Sequence, residues 1–140
     1  MSVAVLAPER RGALVGRLPA VTPTEDLDVV LEHIAPGEVL FSAETSREGQ
    51  PSVVTHGRMC TTLLELALSA AVQSLLSPGQ SYRPLELAVS VVPEGRLVGG
   101  RLEASARVVR SGGGLLVATG SVRGARDLRA TGRLAALTLP

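Results

Sequence analysis

Hydrophobic and polar positions alternate over most of the chain. Val29, Leu31 and His33 alternate with Asp28, Val30 and Glu32, and Val39, Phe41 and Ala43 alternate with Glu38, Leu40, Ser42 and Glu44. Two such runs around Ala35-Pro36-Gly37 predict a hairpin. Residues 46–55 read as loop. The period then changes, and residues 57–76 predict one long helix, ended by Ser77-Pro78-Gly79. Only strand signals follow. Residues 82–92 place Leu85, Leu87, Val89 and Val91 on one face; residues 101–110 do the same with Leu102, Ala104, Ala106 and Val108. Strands over 115–123 and 128–139 complete the set, with turns at 111–114 and 124–127. The apolar parity of the last strand slips between Leu134 and Ala135, which predicts a bulge there. Residues 1–24 read as an appendage: one or two helical turns over 9–18, broken by Pro19 and Pro23. The domain proper is expected over 25–140.

This order predicts an α+β architecture: a hairpin, a long helix, then four strands in a meander, with an antiparallel sheet wrapped around the helix. Such a sheet has open edges, so a multimer is expected. Composition narrows the core. Hydrophobic residues make up 45%, yet there is one Tyr, one Phe and no Trp, so Leu, Val and Ala must fill it. A net charge of +1 with scattered arginines argues against nucleic acid or a membrane surface as partner. The single Cys60 cannot form an internal disulfide and suits a reducing cytoplasm. The first residues lack the basic start of a signal peptide, and no run reaches the roughly 18–20 apolar residues of a spanning helix.

The polar residues of the helix are ordered. Thr61, Glu65, Ser69 and Gln73 recur every four positions, flanked by Thr62 and Ser74, and form one seam on an otherwise apolar helix. A carboxylate in such a setting has two readings. The seam faces solvent or a subunit, with Glu65 hydrogen-bonded to Ser69 or a neighbour; or Glu65 is a base or nucleophile in a partly desolvated cleft. His56-Gly57 just before the predicted helix favours the second. Gly57 can bring a bare backbone N–H to a ligand at a positive helix end, where it can polarise a carbonyl and hold an oxyanion. Gly57 and Glu65 are eight positions apart, so about 12 Å along the helix. A reacting carbonyl must lie within about 3–3.5 Å of its attacking group. One helix cannot present both to one atom, but two antiparallel helices across a two-fold axis can.

The stretch HGRMCTTLLELA resembles the HGG…LLD/E…A signature of the hotdog-fold thioesterases. More narrowly, it resembles the group of phenylacetyl-CoA-type and Arthrobacter-type 4-hydroxybenzoyl-CoA thioesterases. The segments SYRPLELAVSVVP and VVRSGGG fall where that family has a strand and a turn, ERRGALVGRLPA resembles its preceding short helix, and the likeness spans residues 27–139. It implies hydrolysis of an acyl-CoA or aroyl-CoA thioester in a homodimer or homotetramer, with no metal and no cofactor beyond the CoA of the substrate. By the same resemblance Glu65 is nucleophile or general base and Gly57 N–H is the oxyanion donor. Gln50 orients carbonyl or water, Ser69 holds the water and His56 supports the loop. The pairing of Gln50 with Glu65 is closer to the 4-hydroxybenzoyl type, since Asn and Asp are usual in the phenylacetyl type. Arg58 stands where the family has its second glycine, and there it can narrow the acyl pocket or pair with an acidic acyl group.

Other residues carry paired readings. Thr61 and Tyr82 are candidates to line the substrate site, Tyr82 equally a structural aromatic. Arg110, Ser111 and Gly112 are candidates for CoA phosphates, the alternative being a solvated turn. Cys60 reads as a buried small hydrophobe, and His33, among acids, as exposed. Gly112-Gly113-Gly114 lacks the Lys-Ser/Thr and helix of a phosphate loop. Two rivals stand beside a thioesterase: a non-catalytic acyl-CoA-binding hotdog protein, motivated by Arg58, and a hotdog dehydratase or hydratase, whose His-acid motif is not found.

Overall fold

A computed structural model describes residues 28–44, 53–92 and 100–140, and side chains within the helix from His56 onward. The N-terminal appendage and Gln50 lie outside the described residues. The strands are β1 (Asp28–Ala35), β2 (Glu38–Glu44), β3 (Ser81–Val91), β4 (Arg101–Gly112), β5 (Leu115–Arg123) and β6 (Leu128–Leu139), with helix α1 (Val53–Gln73) between β2 and β3. They form one antiparallel sheet in the order β1-β2-β4-β5-β6-β3, and α1 packs across its middle.

The expected four-strand meander is shortened to three. β3 does not pair with β4; it pairs with β6 and closes the far edge. The chain leaves β2 near one edge, crosses the sheet as α1 and re-enters at the other, so β2 and β3 point the same way with three strands between them. Alternation shows that a segment is a strand but not which neighbour it finds.

The helix also begins and ends earlier than expected, at Val53 and Gln73. After Gln73 the chain tightens into two short bonds, Leu75 N–H to the Val72 carbonyl and Leu76 N–H to the Gln73 carbonyl, each 3.1 Å. Ser74 is buried and lies off the polar seam: its hydroxyl donates to the Ala71 carbonyl and accepts from Gly37 N–H, both at 2.6 Å. This pins the helix end to the β1–β2 turn, where Pro36 and a positive φ of 76° at Gly37 reverse the chain.

Register shifts move two expectations. β1 slips between Leu31 and His33, so Ile34 joins the core and half-buried His33 faces outward opposite Leu40. The bulge expected at Leu134–Ala135 falls on the opposing strand, where Leu85 is the extra residue of β3 and is 56% exposed. As an edge strand, β3 stays exposed apart from half-buried Tyr82 and Val89. β5 and β6 meet the expected bounds, and β4 buries Leu102, Ala104 and Ala106 as its alternation predicts. The β4–β5 hairpin closes on Gly113 and Gly114, whose φ values of 61° and 82° suit a two-residue turn.

The core is mostly Leu, Val and Ala, with Ile34, Phe41 and Cys60. Its tightest contact is a notch made by Gly120 and Gly132, paired across β5 and β6. A Cβ on Gly120 would sit 2.6 Å from the Ser105 carbonyl oxygen, and one on Gly132 would sit 2.8 Å from Leu64 Cδ2 and 2.9 Å from the Ala88 carbonyl oxygen. Leu64, fully buried, fills that notch. We expect Gly132→Ala to cost about 1–3 kcal/mol from overpacking and Leu64→Ala about 2–5 kcal/mol. The cost of Gly132→Ala should shrink in the Leu64→Ala background, because one of its two clashes is removed. Denaturant midpoints of the two single variants and the double variant measure this.

Candidate active site

The seat of Leu64 sets the rotation of α1. At about 100° per residue, Cys60, Ala67 and Ala71 turn into the sheet and are fully buried, and the opposite arc carries Arg58, Thr61, Thr62, Glu65, Ser69 and Gln73. Arg58 and Glu65 are exposed and the others half-buried. The predicted seam therefore exists, and Arg58 extends it toward the helix start. Arg58 and Glu65, seven positions apart, lie at nearly the same angle around the helix.

Near the far end of the seam, Gln73 Nε2 donates to the Tyr82 hydroxyl at 3.4 Å. Its Oε1 is buried with no partner among the described residues. Tyr82 is half-buried against the core, so the structure gives it a packing role and places it at the seam's end.

The start of the helix departs from expectation. With α1 beginning at Val53, Gly57 sits in the second turn, where a regular helix gives its N–H the carbonyl four residues back. Among the described residues, a Cβ at Gly57 would meet nothing within 4 Å, so their packing does not require glycine there. His56 is 6% exposed, and its Nε2 stands 3.5 Å from the Cys60 sulfur. Burial pushes the Cys60 thiol up to about 11, against the opposing pull of the Arg129 charge. Burial, and then the Arg129 charge, hold His56 below its ordinary value, with Asp127 partly offsetting them. The tautomer of His56 sets the direction of this contact, with the thiol donating to Nε2 or the Nε2–H donating to the sulfur. The sequence shows a His four positions before Cys60; it does not show Arg129 and Asp127, which arrive from β6 and the turn before it.

The phosphate candidates lie elsewhere. Arg110 and Ser111 line a groove of about 510 Å³ with Gly37, Leu75 and Arg107, beside the C-terminal end of α1. Exposed Gly112 is the last residue of β4. A broader groove of about 800 Å³ crosses the outer face of the sheet between Arg107 and Arg133, away from the seam. Among the described residues no group of three or more His, Cys, Asp and Glu could hold a metal ion. No helix there is long and apolar enough to cross a membrane.

Comparison with solved structures identifies the fold. A thioesterase family protein from Silicibacter pomeroyi superposes with a TM-score of 0.70 at 22% identity, covering 94% of this chain and 96% of that one. A substituted thioesterase from Pseudomonas aeruginosa gives 0.74 at 17% identity, with 99% of each chain covered. A substituted phenylacetic acid degradation protein PaaI from Thermus thermophilus gives 0.66 at 21% identity, over 80% of this chain and 94% of its own. One helix against a six-stranded antiparallel sheet in this arrangement is the hotdog fold, which this chain has. No protein-family model matches the chain. No curated protein matches it either.

Cys60 is the chain's single thiol, so its reactivity can be read directly. Buried and held protonated, it should react with a thiol reagent at pH 8 at least tenfold more slowly in the folded protein than in denaturant.

Proposed function

We propose that this protein hydrolyses acyl-CoA or aroyl-CoA thioesters in a site shared by two copies of the chain. The observation that carries this is the seam: an exposed Glu65 flanked by half-buried Thr61 and Ser69, on a helix whose opposite face is buried against a hotdog sheet. The solved structures with this fold that bear thioesterase names support the reaction class. In this reading Glu65 activates water or attacks the thioester carbon itself. Ser69, one turn on, holds the water, and Gln50 orients it or the carbonyl.

Two-fold symmetry organises the rest. If Gly57 of one copy opposes Glu65 of the other on antiparallel helices, the axis passes Thr61, midway between them. The same operation sets Arg58 across from the partner's Glu65, since both face the same side of the helix. A guanidinium there adds positive charge where the oxyanion develops. In this reading the Gly57 N–H donates to the thioester carbonyl in a three-centre bond shared with the helix carbonyl. The exposed edge strand supports the same assembly. Leu87 and Val91, 44% and 38% exposed, lie opposite the inward residues Leu134 and Ala130 of β6, on the helix side of the sheet and at its rim. A second β3 would cover them and pair the open edge. Antiparallel packing also brings the Arg110 groove at one helix end toward the partner's helix start, where CoA phosphates would lie.

The test is hydrolysis of a panel of acyl- and aroyl-CoA esters. Glu65→Ala should lose at least 10³-fold in kcat with its fold intact, as expected for loss of the activating carboxylate. Equal rates for wild type and Glu65→Ala would remove Glu65 from the mechanism.

A further inference from the structure

The outer face of the sheet, turned away from α1, carries an ordered charge pattern. One level runs through Glu38, Arg107, Thr119 and Arg133, on β2, β4, β5 and β6, each opposite the next. A second level sets Glu103 of β4 opposite Arg123 of β5. Alternation turns these side chains outward, because their neighbours Val39, Ala104, Ala106 and Val122 are buried in the core. On β6 the ladder slips where Val122 faces Ala130 and Arg123 faces Leu128, so Arg129 is the extra residue of a bulge. The bulge turns Arg129 inward, 9% exposed, and takes its charge off this face. Between the two charged levels lie Ser105, Ser121 and Thr131, also in register, and their small side chains floor the groove of about 800 Å³. Arg133 pairs with Glu86 and Glu103 with Arg101. Among the described residues Glu38 and Arg123 have no ion-pair partner.

We propose that this face binds the same face of a second copy of the chain, across a two-fold axis running along the strands between β4 and β5. That line is the midline of the order β1-β2-β4-β5-β6-β3. The axis therefore lays β4 over the partner's β5 and β2 over its β6, and the two faces overlap fully. Glu38 then stands over the partner's Arg133, and Arg123 over the partner's Glu103, each pair occurring twice. The two charges left unpaired within one copy are paired by the other. An axis shifted onto β5 would stack Arg107 on the partner's Arg133, so charge selects the midline. At the centre Ser105 falls over the partner's Ser121, and hydroxyls that both donate and accept match themselves. Packed sheets lie about 10 Å apart, a gap that facing Glu and Arg side chains span. Six strands about 4.8 Å apart, over seven residues of about 3.4 Å, give a face of about 700 Å² per copy. That is close to the roughly 800 Å² per partner of a standard interface. This contact is separate from the β3 edge and does not rest on the thioesterase reading.

Sedimentation velocity on the full chain tests it, with circular dichroism to show that each variant is folded. Whatever other interface the chain forms, this one doubles the mass of the assembly. Arg123→Glu sets carboxylate against carboxylate at two places. It should weaken association at least tenfold and halve the mass at the same concentration. Glu103→Arg combined with Arg123→Glu exchanges the two charges and should restore the wild-type mass, which a merely structural effect of either substitution would not do. Glu38→Arg, and its combination with Arg133→Glu, repeat the experiment at the outer pairs and decide the matter if Arg123→Glu does not fold. A monomeric wild type, a mass unchanged by the single reversals, or a mass that the double reversals fail to restore overturns the proposal. Hydrolysis plays no part in this readout, so the shared face and the thioesterase reading can fail separately.

Discussion

One contact orients everything else: Leu64 seated in the Gly120–Gly132 notch. The helix approaches the sheet closely only because two paired strands lack a Cβ at the same level. That approach fixes the rotation of α1, because turning it by one residue would drive Leu64 against backbone carbonyls and lift the Ala-lined face off the sheet. Rotation decides which side chains remain outside. Glu65 is turned about 100° from Leu64 and emerges on the side the chain leaves open, in line with Arg58, Thr61 and Ser69. The glycines of the sheet and the carboxylate of the seam are therefore one design seen from two sides.

A polar anchor fixes the C-terminal end of the helix, where Ser74 joins the last turn to the Gly37 turn through two short hydrogen bonds. At the N-terminal end buried His56 meets Cys60 within the helix itself. The seam along the helix is half-open, and the β3 edge leaves apolar side chains exposed on the helix side. In the proposed dimer, a second copy placed by a two-fold axis near Thr61 would cover the edge and set an Arg58–Gly57 segment opposite Glu65. Arg58, which departs from the HGG pattern, would then have the carboxylate as its partner.

The sequence made the strands, the long helix and the polar seam legible, because each is written in a local period. Thr61, Glu65, Ser69 and Gln73 needed only the four-residue spacing. What it hid was non-local. The placement of β3 beside β6 depends on where the crossover lands. The inward turn of Arg129 depends on a bulge that pairing alone creates, since LRATGR carries no sign of it. The parity slip at Leu134–Ala135 was real as a signal, but its strain is absorbed opposite it, at Leu85. The helix start is not legible because Gly57 reads as a boundary and Val53-Val54-Thr55, all β-branched, favour strand over helix, yet the helix begins at Val53. Gln50, on which the resemblance also leans, lies outside the described residues.

The central claim is that each site takes its carboxylate from one copy and its helix start from another, and subunit mixing tests it most directly. Glu65→Ala removes one half of the site. Gly57→Val sets a branched side chain beside the proposed oxyanion donor and removes the other. Each variant alone should be inactive. Unfolded together in equal amounts and refolded, half the dimers are mixed and each mixed dimer has one intact site of two, so about a quarter of the wild-type rate should return. A mixture as inactive as its components would contradict the shared site and place the chemistry within a single copy.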